Sequence, residues 1–326
     1  NGYLRPDLSE LGRLPEGVSA DGLANLLLRD PASLEGRLSP VSERHDGALA
    51  ALNAAYMQDG LVLRIAAGAE VDAPIHLISV GLQAGAPTVF HPRNLVAAGS
   101  GSRAMLIESH IGAAGHTYFS NGVTDVSVGE GATLTHAKFQ NEGADAYHVA
   151  LTRTSIEDRA VYDRFVLQRG GALARDEIHA SLDGSEVECR LNGAYLGSGQ
   201  QHIDNTTVID HRHPGSTSSE VYKGVLEGRS RGVFQGRIVV HRDAQRTDGH
   251  QLNKTLLLSR DAEIDTKPEL EIYADDVKCS HGATAGELSD DELFYLRSRG
   301  IDEAAARDML VAAFVAEAIE ELRHDG

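Results

Sequence analysis

The sequence predicts a mainly β protein whose core is a right-handed parallel β-helix (a β-solenoid), with a short N-terminal helical segment and a C-terminal helical domain. Three observations support this prediction. Short strands follow one another from about residue 60 to 284 with almost no helical periodicity, which excludes a doubly wound α/β fold. A small or polar turn, one apolar residue and a new strand recur along this region. The chain also has no Trp, whereas propeller and immunoglobulin-type signatures need Trp at set positions.

The first 58 residues form a partly helical segment in this prediction. Residues 23 to 29 and 43 to 56 read as short helices. Pro31, Gly36 and Pro40 lie between them and break any longer helix. Because residue 1 is Asn rather than Met, the chain is expected to be a fragment whose natural start is missing.

The central region, residues 59 to 286, is the predicted β-helix core. Apolar and polar residues alternate at 61–65, 104–108, 123–128, 238–241 and 270–273, the period of a half-buried strand. The recurring turns lie at 131–134, 158–161, 171–173, 184–187, 231–233 and 261–264. Their spacing is uneven and no six-residue apolar–Gly repeat persists, so neither a strict repeat array nor a left-handed hexapeptide solenoid is predicted. A sandwich and a propeller are the alternatives, but small corner residues favour stacked parallel strands.

From residue 287 to 326 the pattern predicts a helical domain. Ser289 with Glu292 three residues later is a capping box, and Gly300 stands where a helix C-terminus favours a left-handed residue. A second helix is predicted from the N-cap Asp302 to about Arg323. Its apolar residues cover more than one stripe, so one face is expected to pack on the solenoid and the surplus to meet a partner.

The composition excludes several classes of function. Lys and Arg number 30 and Asp and Glu 48, giving a formal net charge of −18, which argues against nucleic acid or an anionic membrane as partner. No apolar run approaches the ~20 residues that cross a bilayer. Two cysteines cannot build a disulfide scaffold, so a reducing, cytoplasmic compartment is predicted.

No enzyme motif stands out. The sequence has no Gly-x4-Gly-Lys phosphate loop and no His-Glu-x-x-His. The acidic pair Asp275 and Asp276 could hold a cation beside a β-helix groove, although such a pair is more often a solvated turn. We therefore expect no catalytic activity.

Two pairs of potential metal ligands stand two residues apart, so each pair would share one face of an extended strand. His211 and His213 form the first pair, but Pro214 and Gly215 follow, and polar surface residues at a strand end are the simpler explanation. The lone Cys189, flanked by charged residues, is predicted to be structural.

Cys279 and His281 form the second pair. A thiolate and an imidazole suit iron or zinc but lack two further ligands. An incomplete site at the edge of a solenoid suggests that a second chain completes it. The alternative is that Cys279 is a buried, small apolar residue and that His281 is hydrogen-bonded in a turn.

Four long blocks of the sequence resemble one known family. They are residues 219–226, 251–259, 265–284 and 293–301. They resemble the SufB/SufD family of SUF-system iron–sulfur cluster assembly proteins. The segment Lys-Cys-Ser-His-Gly-Ala-Thr at 278–284 is similar to the SufD branch, because SufB characteristically has His-Glu-Ala-Thr there.

The resemblance implies a parallel β-helix core whose end pairs with SufB and a helical domain that docks the ABC-type ATPase SufC. It implies that Cys279 and His281 lie at the SufB interface and take up transient iron or a nascent cluster, with no cofactor bound tightly by the isolated chain. The chain would then be a non-catalytic scaffold subunit, able to form a homodimer alone, with the family's N-terminal helical segment absent or reduced. The residues expected to contact SufC are Leu293, Phe294, Tyr295, Arg297, Arg299, Met309 and Phe314.

Two functions of other classes stay open on these residues. One is a purely structural homodimer in which the edge strands of two solenoids pair. The other is a carbohydrate-active β-helix enzyme that uses Asp275 and Asp276 with a cation and Arg299.

Overall fold

Each coil of the chain contributes one strand to each of two parallel sheets, and the two sheets enclose a common core. The computed structural model describes residues 1–38, 47–83 and 85–320. Within these residues the smaller sheet has eight strands, so the solenoid has about eight coils. The predicted parallel β-solenoid is thereby confirmed.

The first sheet, sheet A, is built mainly from alternate strands of the chain, which lie side by side. From one edge to the other its strands are β1 (Val18–Gly22), β2 (Leu61–Ile65), β5 (Arg93–Ala98), β7 (Tyr118–Val128), β9 (Ala146–Ile156), β11 (Leu173–Leu182), β13 (His202–His211), β15 (Arg231–Val240) and β17 (Glu263–Ile272), with β4 (Thr88–Phe90) paired to β7. The second sheet, sheet B, consists of β3 (Ile75–Gly81), β6 (Arg103–Gly112), β8 (Thr133–Asn141), β10 (Val161–Arg169), β12 (Glu188–Gly197), β14 (Thr217–Leu226), β16 (Asp248–Leu257) and β18 (Lys278–Gly286).

The helices stand at the two ends of the chain. They are α1 (Leu23–Arg29), α2 (Gly47–Tyr56), α3 (Asp290–Arg297) and α4 (Glu303–Glu320), with short 3-10 turns at Pro6–Leu8, Leu11–Arg13 and Pro31–Leu34. The helix predicted at 23–29 matches α1. The one predicted at 43–56 matches α2 from residue 47 onward, and its first four residues lie outside the described ranges. Residues 321–323 of the last predicted helix lie outside them as well.

The strands pair in register, which fixes the length of a coil. Thr133 pairs with Val161, Val161 with Glu188, and Glu188 with Thr217. These partners are 28, 27 and 29 residues apart, so a coil takes about 28 residues here. The uneven turn spacing of the sequence has a simple origin, because each coil has two corners and successive turns therefore alternate between them.

The corners that lead from sheet A to sheet B repeat the same backbone geometry. One residue at each takes a positive φ: Gly101, Gly131, Arg159, Glu186, Gly215 and Arg246. Its N–H donates to a carbonyl in the corner of the next coil, as from Gly131 to Asp158 and from Arg159 to Ser185. The residue that follows is small or medium-sized and fully buried, for example Ala132 and Ala160. Stacked corners therefore extend the hydrogen-bond ladder around the bend.

The turn predicted at 231–233 is displaced in the structure. Strand β15 already begins at Arg231, and the bend comes just before it, where Gly228 has a φ of 72°. The glycine in the sequence pattern at Gly232 instead lies inside the strand, where the side chains of Leu226 and Ile264 occupy the space that a Cβ would need.

The N-terminal segment joins the sheet. Strand β1 pairs antiparallel with β2, so it closes the first coil of sheet A with a strand of opposite direction. Leu23 and Leu26 of α1 pack with Val62 and Leu95 in a small apolar cluster. Strand β1 thus covers the edge of β2, and α1 packs on the outer face of sheet A.

The C-terminal helices form as their end signals predict. The Ser289 hydroxyl accepts the N–H of Glu292 at 3.3 Å, and Asp302 accepts the N–H of Ala305 at 3.0 Å. Gly300 has a φ of 87°, the left-handed conformation expected there. The predicted packing face of the second helix is also present, since α4 lies on the outer side of β12 and β14.

A buried ion cluster lies inside the solenoid between the two sheets. Asp176 of β11 accepts from Lys138 Nζ at 2.8 Å and from Arg164 at 2.8 and 3.0 Å. All three side chains are 0 to 2% exposed. Burial alone would raise the pKa of Asp176, but the two cations outweigh it and hold the pKa below its usual range.

Removing the charge of Asp176 should therefore destabilise the fold far more than the same change at the surface. We expect Asp176→Asn to lower the free energy of unfolding by about 3–5 kcal/mol, because two buried cations lose their counterion. The matched control is Asp265→Asn, whose partner Arg231 is about half exposed, and it should cost about 0–1 kcal/mol. Urea unfolding at pH 7 measures both values, and equal losses would contradict this account of the cluster.

Candidate functional site

The last coil leaves part of the interior uncovered. Strands β17 and β18 are the terminal strands of sheets A and B, and their inward-facing residues are largely half-buried or exposed. In the preceding coil the corresponding residues of β16, Gly249, Gln251 and Asn253, are buried. The solenoid therefore presents an open C-terminal end.

Cys279 and His281 lie on this open end. The pairing of β16 with β18 places Cys279 beside Gly249 and His281 beside Gln251. Because Gly249 and Gln251 face the interior, Cys279 and His281 face the same way, and alternate positions on a strand stand ~7 Å apart. Cys279 is half-buried and His281 is exposed. A thiol and an imidazole thus share one accessible surface.

The environment of Cys279 keeps its thiol protonated. The side chain packs against the apolar core together with Leu270 and Val277. Burial raises the pKa of the Cys279 thiol, against the opposite effect of a hydrogen bond with the Gly249 backbone. A positive partner, such as a metal ion, is needed to make this residue a thiolate at neutral pH.

His281 continues a line of polar residues that runs into the core. Glu220, Gln251 and His281 are register partners on β14, β16 and β18. Glu220 and Gln251 are 1% and 2% exposed, and Gln251 Nε2 donates to Glu220 Oε2 at 2.8 Å. We call these three residues the inner column. Burial raises the pKa of Glu220 to about 7, although the nearby Thr207 hydroxyl and the hydrogen bond from Gln251 oppose the shift.

Glu220 and Gln251 were not among the site residues predicted from the sequence. Their signal is present in the sequence as a spacing of one coil, because Gln251 follows Glu220 by 31 residues and His281 follows Gln251 by 30. Without the coil length, charged and amide residues in alternating strands are more simply assigned to the solvent face.

The outer face of the same strand carries a hydrogen-bonded trio. His250 Nδ1 lies 2.7 Å from the Ser280 hydroxyl, and its Nε2 lies 2.7 Å from Asp248 Oδ1. The trio is largely exposed, and it ties β18 to β16 next to Cys279.

The backbone edges of the two terminal strands differ. In β17, Glu263 donates its N–H back toward β15, and so does Tyr273, which lies just beyond the end of the strand. The backbone N–H and C=O groups of the even-numbered residues therefore point to the open side. Pro268 is one of these residues, and it has no N–H. In β18, Lys278 donates to Thr247, so Cys279, His281 and Ala283 present their backbone groups to the open side. The edge of β18 can pair with another strand, whereas the edge of β17 is interrupted.

The helical residues predicted to meet a partner fall into two groups. Phe294, Tyr295 and Met309 are exposed, at 75%, 55% and 51%, and Arg297 is 57% exposed in its side chain. Arg299 stacks on the Tyr295 ring at 3.5 Å. A groove of about 360 Å³ beside them is lined by Asp291, Glu292, Tyr295, Leu296 and Leu310.

Leu293 and Phe314 lie elsewhere. Leu293 is buried. Phe314 faces the solenoid, where Lys223 Nζ stands 4.7 Å from its ring centre and also pairs with Glu317. Phe314 thus roots α4 on the solenoid, and neither residue is part of the exposed surface.

The other candidate sites do not assemble. His211 is buried and its Nε2 lies 2.9 Å from the Ser218 hydroxyl, whereas His213 is exposed in the corner after the strand. The strand does end there as predicted, but His211 is not a surface residue. Asp275 and Asp276 are exposed in the corner between β17 and β18.

Cys189 is fully buried in β12, and burial raises the pKa of its thiol. In the part of the chain that the structure describes, no group of three or more His, Cys, Asp or Glu side chains is arranged to hold a metal ion. None of the helices in the same ranges combines the length and the apolar character that spanning a membrane requires.

Two family models match this chain. A family model described as SUF system FeS cluster assembly, SufBD core domain, matches residues 80–314. A second, described as SufBD protein N-terminal region, matches residues 1–77.

Three curated relatives are similar along much of the chain. An iron–sulfur cluster assembly SufBD family protein of Synechocystis is 32% identical over 99% of this chain and 73% of its own length. The iron–sulfur cluster assembly protein SufD of Escherichia coli is 35% identical over 72% of this chain and 56% of its own length. The chloroplastic protein ABCI7 of Arabidopsis thaliana is 31% identical over 94% of this chain and 66% of its own length. The chain thus spans about half to three quarters of these relatives.

The raised pKa of Glu220 in the inner column can be tested by measuring the stability of the protein at two pH values. Because the folded-state pKa of Glu220 is raised from 4.5 to about 7, the folded protein binds more protons than the unfolded chain between these values. The contribution of Glu220 to the free energy of unfolding is therefore present at low pH and is lost as the pH rises toward 7. We expect Glu220→Gln to be close to neutral at pH 5 and to stabilise the protein at pH 8 by up to about 3 kcal/mol.

The measurement is the free energy of urea unfolding of both proteins at the two pH values. Glu227→Gln, which changes an exposed carboxylate beyond the end of the same strand, is the matched control and should show little dependence on pH. A gain from Glu220→Gln of the same size at pH 5 and pH 8 would argue against a buried, partly protonated carboxyl.

Proposed function

The chain belongs to the SufBD family of SUF-system iron–sulfur cluster assembly proteins and is SufD-like, and on this premise we propose that it is a non-catalytic scaffold subunit. In this proposal it offers Cys279 and His281 to iron or to a nascent cluster at a seam with SufB, and its C-terminal helices dock the ATPase SufC. The observation that carries the proposal is the pair of soft donors on the open end of the solenoid.

The incompleteness of the donor pair supports a shared site. Iron–sulfur clusters and tetrahedral metal sites take about four protein ligands, and Cys279 and His281 supply two. No third His, Cys, Asp or Glu joins them among the described residues. A neighbouring subunit is the natural source of the remaining ligands, so the site exists only when two chains meet.

The open edge of β18 supports the position of that neighbour. A strand that adds to this edge would hydrogen-bond the backbone of Cys279 and His281, and it would bring its own side chains within reach of theirs. Pro268 and the charged residues Lys267 and Glu269 discourage the same pairing at β17. The seam is therefore assigned to sheet B.

The raised pKa of Cys279 supports transient rather than permanent loading. As a protonated thiol it is a poor ligand, and it must lose its proton when a metal binds. Metal affinity at this site then rises with pH and depends on the charge that the partner and the metal bring. The isolated chain is accordingly expected to hold no tightly bound iron.

The two C-terminal helices support the docking of SufC. Phe294, Tyr295 and Met309 form an exposed aromatic and apolar surface of the kind that protein interfaces use. The helices are rooted on β14 through Lys223, Phe314 and Glu317. A displacement of the helices by an ATPase would therefore act on the sheet that ends in β18.

A structural homodimer is the second candidate, and the edge of β18 favours it as well. Two copies could pair through this edge when SufB is absent, since an exposed strand edge accepts another strand. A carbohydrate-active enzyme has less support, because Asp275 and Asp276 stand in a solvated corner and the described residues gather no further acidic or imidazole ligand beside them.

The site is tested by replacing His281. We expect His281→Asn to lower the yield of iron–sulfur cluster on a reconstituted complex with SufB and SufC on the order of tenfold, because one ligand is lost. The unfolding midpoint should stay the same, since the residue is exposed. His213→Asn, another exposed histidine, is the control, and the cluster is quantified by absorbance and by iron and sulfide content. An undiminished yield from His281→Asn would remove the claim for this residue.

The docking surface is tested by placing a charge on it. Phe294→Asp and Met309→Asp should each weaken SufC binding by roughly 2 kcal/mol, or about 30-fold, because an exposed apolar anchor is lost. Ile78→Asp changes a residue of comparable exposure, 55%, at the other end of the solenoid, and should leave the affinity unchanged. Isothermal titration calorimetry gives all three values, and equal affinities for all variants would refute the docking surface.

A further inference from the structure

The inner column contains an arrangement that the proposed function does not yet use. Glu220, Gln251 and His281 occupy one position on three successive strands of sheet B. Neighbouring parallel strands stand ~4.8 Å apart, so the side chains of adjacent members can touch. The first two are sealed in the core, and the third stands on the open end.

The amide of Gln251 has a fixed orientation. Its Nε2 donates to Glu220 Oε2 at 2.8 Å. At pH 8, above the pKa of Glu220, the carboxylate can only accept, so the nitrogen end of the amide faces Glu220. The opposite wall leaves room for the amide. A Cβ at Gly236 of sheet A would clash with Gln251 Nε2, so the absence of a side chain at Gly236 gives the amide its space.

The other end of the amide lacks a partner. Gln251 Oε1 is buried and accepts no hydrogen bond within the described residues. Leaving a buried acceptor without a donor is destabilising, so a donor that can reach it should be captured. On the next strand stands His281, which makes no hydrogen bond to the part of the chain that the structure describes.

We propose that Gln251 is a positioning residue for His281 and that its Oε1 accepts the imidazole N–H. A neutral imidazole has one N–H and one nitrogen with a lone pair. When Gln251 Oε1 accepts the imidazole N–H, the lone pair lies on the other ring nitrogen. That nitrogen is then available as a ligand at the seam. The use of that lone pair for iron rests on the proposed function, whereas the hydrogen bond itself does not.

Glu220 acts one step further back in this arrangement. It holds the nitrogen end of the Gln251 amide and so keeps the oxygen end toward the terminal coil. Ligating histidines commonly donate their second nitrogen to an oxygen acceptor, which fixes the tautomer and the orientation of the ring. Here the acceptor would be an amide oxygen supplied by the neighbouring coil.

The tautomer of His281 is the direct readout. The full chain is labelled with ¹⁵N-histidine, and the two ring nitrogens of His281 are assigned by their loss in His281→Asn. We expect one tautomer to dominate at pH 8 in the unchanged protein. In Gln251→Met, which keeps the length of the side chain and removes the amide, the two nitrogen shifts should move toward the average of an unrestrained imidazole.

Two further variants make the test specific. Glu220→Gln should also release the tautomer, because an amide at position 220 can either accept from Gln251 Nε2 or donate to Gln251 Oε1, so the orientation of the Gln251 amide is no longer fixed. Thr255→Val, four residues along β16 and equally buried, is the matched control and should leave the His281 shifts unchanged. The proposal is overturned when the His281 shifts in Gln251→Met and Glu220→Gln equal those of the unchanged protein.

Cluster assembly separates this proposal from the proposed function. If both hold, Gln251→Met changes the tautomer and lowers the cluster yield with SufB and SufC by at least tenfold. If Gln251→Met changes the tautomer but His281→Asn leaves the yield intact, the hydrogen bond stands and the iron role of His281 fails. If His281→Asn lowers the yield but the His281 tautomer is unchanged in Gln251→Met, the positioning role of Gln251 is contradicted and the iron role of His281 stands.

Discussion

Each strand of this solenoid satisfies its backbone groups through the coil before it and the coil after it. The pairing is in register from coil to coil, and the corners join it, since a residue such as Gly131 or Arg159 donates its N–H to the corresponding corner of the next coil. At the N-terminal end β1 pairs with the edge of β2 in sheet A. At the C-terminal end the last described coil has no successor, so its strand edge and its inward-facing side chains stay available. The position of Cys279 and His281 follows from this termination rather than from any local feature of their sequence.

The interior that ends at this opening is polar to an unusual degree. Asp176 with Arg164 and Lys138 forms a closed ion cluster, and Glu220 and Gln251 continue the polar lining toward the open end. Buried charges stabilise a fold weakly compared with apolar packing, but they are very sensitive to the loss of one member. The polar lining therefore ties the geometry of the open end to the integrity of the coils behind it. It also explains why a residue as exposed as His281 can have a rigid, buried neighbour.

The open end of the solenoid and the C-terminal helices are both attached to sheet B. The open end belongs to the last strand of sheet B, and the C-terminal helices pack on the outer side of β12 and β14 in the same sheet. Lys223 of β14 reaches outward to Phe314 and Glu317, while Glu220 of the same strand reaches inward to Gln251. A force on the helices would act on β14 and a ligand at the open end on β18, two strands of one sheet that are separated by β16 alone. In the proposed function, this sheet would couple an ATPase on the helices to the metal-handling seam.

Local patterns along the chain were enough to predict a central region of strands between helices at the two ends. The period of two residues marked the strands at 61–65 and 123–128, and the end signals Ser289, Gly300 and Asp302 marked the C-terminal helices, because strand alternation and helix capping depend on neighbouring residues. The same kind of pattern brought Cys279 and His281 together, since positions two apart in a strand share a face. The assembled solenoid was needed to show which face of each strand is inside, that His211 is buried, that Phe314 faces the solenoid, and that Glu220 and Gln251 stand behind His281. These facts depend on partners about one coil away, and two different corners per coil conceal that distance in the linear sequence.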